Sequence, residues 1–219
     1  MKTILFQGDS ITDCGRSKED SLSAIQSPYA FGTGYAYMSA AHLALSHPGE
    51  YTFYNRGVGG NRIVDVYARL KADILNLRPD YMSILIGIND VWHEISRQNG
   101  VPTPKFERIY RMLLDEIYEE LPDIKILLFT PYVIEGTATV DPENPAKWET
   151  FRDGCAEKAE AVRRIARDYP VGLSVTQPLF NAAEGKIPAD QLAKDGVHPG
   201  LSGAAILSRE FLGWFESVR

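Results

Sequence analysis

The sequence predicts an α/β protein, with a parallel sheet covered by helices on both faces. Two observations carry that expectation. Five short apolar runs recur, at residues 3–7 (TILFQ), 51–55 (YTFYN), 81–86 (YMSILI), 124–130 (IKILLFT) and 171–176 (VGLSVT). Stretches with helical spacing lie between them, and strand–helix alternation of this kind builds a parallel sheet. Most of the runs are nearly continuous in apolar residues, as expected of strands covered on both sides.

Each helical stretch has its own signal. Ile63, Val66, Tyr67, Leu70, Ile74 and Leu77 follow a 3-4 spacing, with Arg69, Lys71 and Asp73 on the other side. A helix is expected over residues 106–121, where Pro122 ends it. Phe151, Cys155, Ala159, Val162, Ile165 and Tyr169 repeat the spacing, and a last helix follows Pro199, with Pro199 or Ser202 near its start. Residues 14–34 and 132–148 are rich in Gly, Pro, Ser and Thr and read as loops. Long loops inside compact domains are commonly functional.

Composition narrows the function classes. The 219 residues are 44% hydrophobic and 24% charged, which suits a folded globular chain and excludes disorder or a fibre. No repeat or linker divides residues 1–219, so one domain is expected, large enough to need no disulfide or metal staple. A net charge of −6 and a pI near 5.3 argue against nucleic acid or an anionic membrane as partner. Arg163, Arg164 and Arg167 cluster, but Glu157, Glu160 and Asp168 interleave with them as on a solvated helix face. The first apolar run is too short for a signal peptide, and no stretch approaches the roughly 18 apolar residues of a membrane span. Cys14 and Cys155 make neither a disulfide framework nor a zinc site. A cytoplasmic location is expected.

In an open α/β sheet, ligands bind beyond the carboxyl ends of the strands. Four strand ends or late turns stand out there: Gly8-Asp9-Ser10, residues 55–61 (NRGVGGN), residues 87–90 (GIND) and residues 195–199 (DGVHP). An acyl-transfer site needs a hydroxyl nucleophile, a base, a group that orients the base, and donors for the oxyanion. Ser10 suits the nucleophile, His198 the base, and Asp195, three residues earlier, its orienting acid. The Ser10 amide, the Gly60 amide and the Asn89 side chain can aim donors at one spot. Taken singly each residue has an ordinary explanation, since Ser, Asn, Gly and Asp-x-x-His are all common in caps and turns. Their coincidence at the ends of one sheet favours the site.

These blocks resemble those of the SGNH (GDSL) hydrolases, in order from the first strand to the last helix. The resemblance implies a three-layer α/β/α sandwich with a five-stranded parallel sheet in flavodoxin-like order. It implies Ser10 as nucleophile, Asp195 and His198 as the rest of the triad, and Ser10, Gly60 and Asn89 as oxyanion donors, with no cofactor and no metal. Alignment of Asn55-x-Gly57-x-x-Gly60-Asn61 with the family favours Gly60 over Gly59. The strings 8–16 (GDSITDCGR), 87–92 (GINDVW) and 130–135 (TPYVIE) are similar to a subgroup of intracellular acetylxylan esterases. That likeness implies an acetyl ester of a xylo-oligosaccharide as substrate, and assembly into a homo-oligomer. Family members of similar size also hydrolyse lysolipids, thioesters and aryl esters.

Asp9, Trp92 and Tyr132 are the expected substrate contacts. Tyr29, Phe31, Tyr35 and Trp148 join Trp92 and Tyr132 in loops around the blocks, and sugar C–H faces pack on such rings. Asp13 and Asp90 are expected to cap helices or lock loops, His42 and His47 to end a helix, and His93 to contact substrate. Three rivals compete. A dinucleotide-binding turn at residues 57–62 has Arg62 where its third glycine belongs. A metal-dependent phosphoesterase would use Asp9, Asn89, Asp90, Asp195 and His198 around Mg²⁺ or Mn²⁺. A catalytically dead binding protein would have little reason to keep all four blocks.

Overall fold

In a computed structural model, which describes residues 1–18 and 27–219, one sheet of five parallel strands forms the centre. The strands are β1 (Lys2–Gly8), β2 (Tyr51–Asn55), β3 (Tyr81–Leu85), β4 (Lys125–Phe129) and β5 (Gly172–Ser174). Their order is β2-β1-β3-β4-β5, the flavodoxin-like order. All five apolar runs are strands, some trimmed or extended by a residue or two. β3, with a neighbour on each side, is buried at all five positions, whereas the edge strand β2 alternates.

Side-chain parity divides the core into two layers. Ile4, Phe6, Phe53, Leu127 and Phe129 face one side, packed under α2 (Tyr35–Ser46) and α9 (Leu201–Val218) with Phe211 and Phe215. Leu5, Met82, Ile84, Ile126 and Leu128 face the other, under α3 (Ile63–Ala68), α5 (Thr103–Glu120) and the second half of α6 (Ala146–Asp168). The period of two along each strand thus sends alternate residues into separate cores.

Several elements depart from the expectation. The stretch expected as one helix over residues 63–77 is α3 followed by a π-helical turn, Lys71–Leu75. Ile63, Val66, Leu70 and Ile74 remain buried, because the extra residue of the π turn shifts the ladder without turning the apolar face away. Four elements lie outside the helical stretches expected from the sequence: α1 (Ser10–Asp13), α4 (Ile88–Arg97), α7 (Thr176–Ala183) and α8 (Ala189–Leu192). The loop expected over 132–148 ends at Pro145, which leads into α6. The loop expected over 14–34 contains a 3₁₀ turn, Pro28–Phe31, and its residues 19–26 lie outside the described residues. Among the described residues, no helix is long and apolar enough to cross a membrane.

Candidate active site

β1 runs directly into the first block. A Cβ at Gly8 would lie 2.4 Å from the Leu85 carbonyl oxygen, so only glycine lets β1 sit against β3 there. Asp9 then caps α1, accepting the Ile11 N–H at 2.9 Å, and Ser10 becomes the first helical residue. The Ser10 N–H has no acceptor among the described residues.

Ser10 and His198 meet although they stand 188 positions apart. The Ser10 hydroxyl lies 2.7 Å from His198 Nε2, and His198 Nδ1 lies 2.6 Å from Asp195 Oδ2. The other Asp195 oxygen accepts the Val197 and His198 amides at 3.0 and 2.8 Å. Partial burial works to raise the Asp195 carboxyl, but the imidazole hydrogen bond and the two amides outweigh it and bring it down to about 2. The same hydrogen bond raises His198 above its ordinary value, against partial burial. An ionised Asp195 accepts Nδ1–H, which leaves Nε2 free to accept the serine proton.

The Asp195–His198 turn is held by the segment after β4. Ile134 N–H donates to Gly196 O at 2.9 Å, Ala138 N–H to Asp195 O at 3.1 Å, and Thr137 N–H to Lys194 O at 3.2 Å. The Tyr132 hydroxyl donates to Val197 O at 2.8 Å. Gly196 has φ +91°, and a Cβ there would lie 2.3 Å from Ile134 O. Sequence reasoning missed this cradle, because contacts between two irregular segments leave no periodic trace.

The turn after β2 lies against Ser10. A Cβ on Gly59 would be 3.8 Å from Ser10 Cβ. Gly59 commits its N–H to Asp13 Oδ2 at 2.8 Å, whereas Gly60, at φ +82°, has an N–H with no acceptor among the described residues. Asn89, near the start of α4, donates from Nδ2 to Asn61 O at 3.2 Å, which leaves its second amide hydrogen for another acceptor. Trp92 is half-buried with its ring 6.0 Å from that of His198, and the half-buried His93 lies over Gly60.

Two expected substrate contacts are corrected. Asp9 is fully buried, with its carboxyl turned inward as the α1 cap and Oδ2 without a partner among the described residues. Burial pushes that carboxyl up to about 7. Tyr132 is also fully buried, stacked on Phe180 at 3.7 Å, and holds Val197 instead of facing the open site. Phe31 and Tyr35 likewise belong to the core, which leaves Trp92, Trp148 and the 81% exposed Tyr29 as reachable rings. His47 ends α2 beside Glu50 and Glu216. Among the described residues, no group of three or more His, Cys, Asp or Glu is placed to hold a metal ion. In particular, Asp9 and Asp90 direct their carboxyls at backbone amides.

Comparison with known proteins places the chain in a family. Residues 6–206 match the profile of the GDSL-like lipase/acylhydrolase family. An acetylxylan esterase from Geobacillus stearothermophilus is 36% identical over 99% of this chain and 95% of its own length. A crystal structure of an acetylxylan esterase from the same organism superposes with a TM-score of 0.81 at 33% identity, covering 96% of this chain and 92% of the other. A structure from Parabacteroides merdae described as GDSL-like lipase superposes with a TM-score of 0.87 at 31% identity, covering 97% and 94%.

Proposed function

The chain belongs to the GDSL-like lipase/acylhydrolase family and is a carboxylic-ester hydrolase, and from that premise we propose that it removes acetyl groups from xylo-oligosaccharides through an acyl-enzyme on Ser10. The observation that carries the mechanism is the line of contacts from Ser10 through His198 to Asp195, at 2.7 and 2.6 Å.

His198 Nε2 takes the hydroxyl proton as Ser10 Oγ bonds to the ester carbonyl carbon. The resulting oxyanion accepts hydrogen bonds from the Ser10 amide, the Gly60 amide and the Asn89 side chain. Collapse breaks the bond to the sugar oxygen, which leaves with the proton held on His198. Water then gives a proton to His198 and attacks the acyl carbon, and the second collapse releases acetate and returns the proton to Ser10. Asp195 stays ionised throughout and stabilises the imidazolium. The acetylated sugar rests against Trp92, whose ring lies beside His198. The acetylxylan esterase relative supports the choice of a sugar acetate.

Acetate release from acetylated xylo-oligosaccharides, set beside aryl esters of rising chain length, tests both parts. Turnover is expected to fall as the acyl chain lengthens, and Ser10→Ala to lower kcat by about 10⁴-fold or more. Full activity in Ser10→Ala would overturn the mechanism, and a preference for long acyl chains would overturn the substrate.

A further inference from the structure

The segment that carries Gly60 is bound at every second residue. Gly59 N–H donates to Asp13 Oδ2 at 2.8 Å. Asn61 O accepts from Asn89 Nδ2 at 3.2 Å, and its side-chain oxygen accepts from Arg69 at 2.7 Å. Ile63 N–H lies 3.2 Å from each oxygen of Asp90. Gly60 sits between the first two anchors, in the left-handed region at φ +82°.

The two carboxylates stand on telling elements. Asp13 closes α1, the single turn that Ser10 opens, and Asp90 follows Asn89 at the start of α4. Each therefore shares a rigid element with another donor of the oxyanion site. The turn bearing the third donor is thus tied to the carriers of the other two. Neither carboxylate faces substrate: Asp13 is 7% exposed and Asp90 2%. Among the described residues Asp90 accepts no other hydrogen bond, and burial pushes its carboxyl up to about 8.

We propose that Asp13 and Asp90 are positioning residues for the oxyanion site, fixing the Gly60 amide relative to Ser10 and Asn89 through Gly59 and Ile63. The proposal rests on the reading that Gly60 and Asn89 receive the oxyanion. Donors aimed in advance cost no reorganisation during reaction, whereas a loosened turn must be ordered again in each transition state. Backbone bonds close the turn (Asn61 N–H to Val58 O at 3.1 Å) and tie it to β1 (Val58 N–H to Gly8 O at 3.1 Å), and the carboxyls at Gly59 and Ile63 fix it on either side of Gly60.

The test compares Asp90→Asn, Asp90→Leu, Asp13→Asn and Asp13→Ala on an aryl acetate, with Asn89→Ala as benchmark. Readouts are kcat, KM, the melting temperature and the affinity for a trifluoromethyl ketone, whose serine adduct carries an oxyanion. The Asn variants keep an acceptor oxygen and should stay within about threefold of the parent. Asp90→Leu and Asp13→Ala should lose about 10- to 100-fold in kcat, with KM within about threefold and ketone affinity falling by the same factor as kcat. Ile63→Pro removes the donor instead. Proline suits a first helical position, and Arg62 before it is already extended at φ −101°, ψ 174°. It should match the Asp90→Leu loss, and it decides the question if that variant does not fold. Unchanged kcat and ketone affinity in the folded Asp13 and Asp90 or Ile63 variants would overturn the proposal. An unchanged kcat in Asn89→Ala would instead overturn the oxyanion reading on which it rests.

Discussion

Carboxyl groups of one chemical type carry opposite shifts around Ser10, and their hydrogen-bond partners explain the difference. Asp195 has an imidazole and two amides to hold its charge, whereas Asp9 is fully buried and, among the described residues, one of its oxygens has no partner. The consequence for activity follows from sign. The Asp195 hydrogen bond raises His198, and with the neutral imidazole as base in the proposed mechanism, kcat/KM should rise with pH through a value above the ordinary histidine range. Asp195→Asn removes that support and leaves partial burial, which lowers His198. The acid limb of a kcat/KM profile should then move to lower pH while the rate drops on the order of 10⁴-fold. A limb that stays in place would separate Asp195 from His198. The positions of the proposed site residues were legible in the sequence, since Ser10, Asn89 and His198 all follow strand ends or close a late turn. Direction was not legible. Nothing in Gly8-Asp9-Ser10 says that Asp9 turns inward to cap α1, and Tyr132 lies after β4 yet points into the core.

At the scale of elements, the acid–base turn depends on the irregular segment after β4 as much as on itself. Tyr132→Phe leaves the Val197 carbonyl without its donor. It should cost about 1–3 kcal/mol in a denaturant titration and lower kcat several-fold. Gly136→Ala should be more severe, because a Cβ there would lie 2.1 Å from the Gly196 nitrogen, which is backbone and cannot swing aside. Activity should be almost lost, with a fallen melting temperature, and a parent-like variant would mean that the segment does not template the turn. Residues 132–148 read as a loop of functional length, a reading that overran into α6 by three residues and was silent on partners. The π turn after α3 escaped for a related reason. Apolar spacing records which face is buried, and both kinds of turn bury the same face of Ile63, Val66 and Ile74.

For the whole molecule, the strand signals were strong enough to give the parallel sheet, while its flavodoxin-like order came from the family resemblance. Periodicity carries no information on which strand lies beside which. Stability should depend on pH through the buried carboxyls. Asp9 and Asp90 bind protons in the folded state up to about 7 and 8, but in the unfolded chain only to the ordinary carboxylate range near 4. Their contribution is present in full below about pH 4 and is lost as pH rises through about 7 to 8. Between those limits each group lowers stability as pH rises. Asp195 acts oppositely, and its contribution disappears only as pH falls from about 4 to about 2. Melting temperatures should therefore decline from pH 5 to pH 8, and Asp90→Asn should flatten the decline. An equally steep curve in that variant would show that Asp90 titrates in its ordinary range. The 188-position separation of Ser10 and His198 has a further consequence. On the proposed mechanism, a serine this far from its base is inert until both ends of the chain have found their places. An electrophilic phosphonate that captures only an activated serine would then act as a census of finished molecules. During refolding, the labelled fraction should trail the return of helical signal and level off at the share of chains that completed the fold.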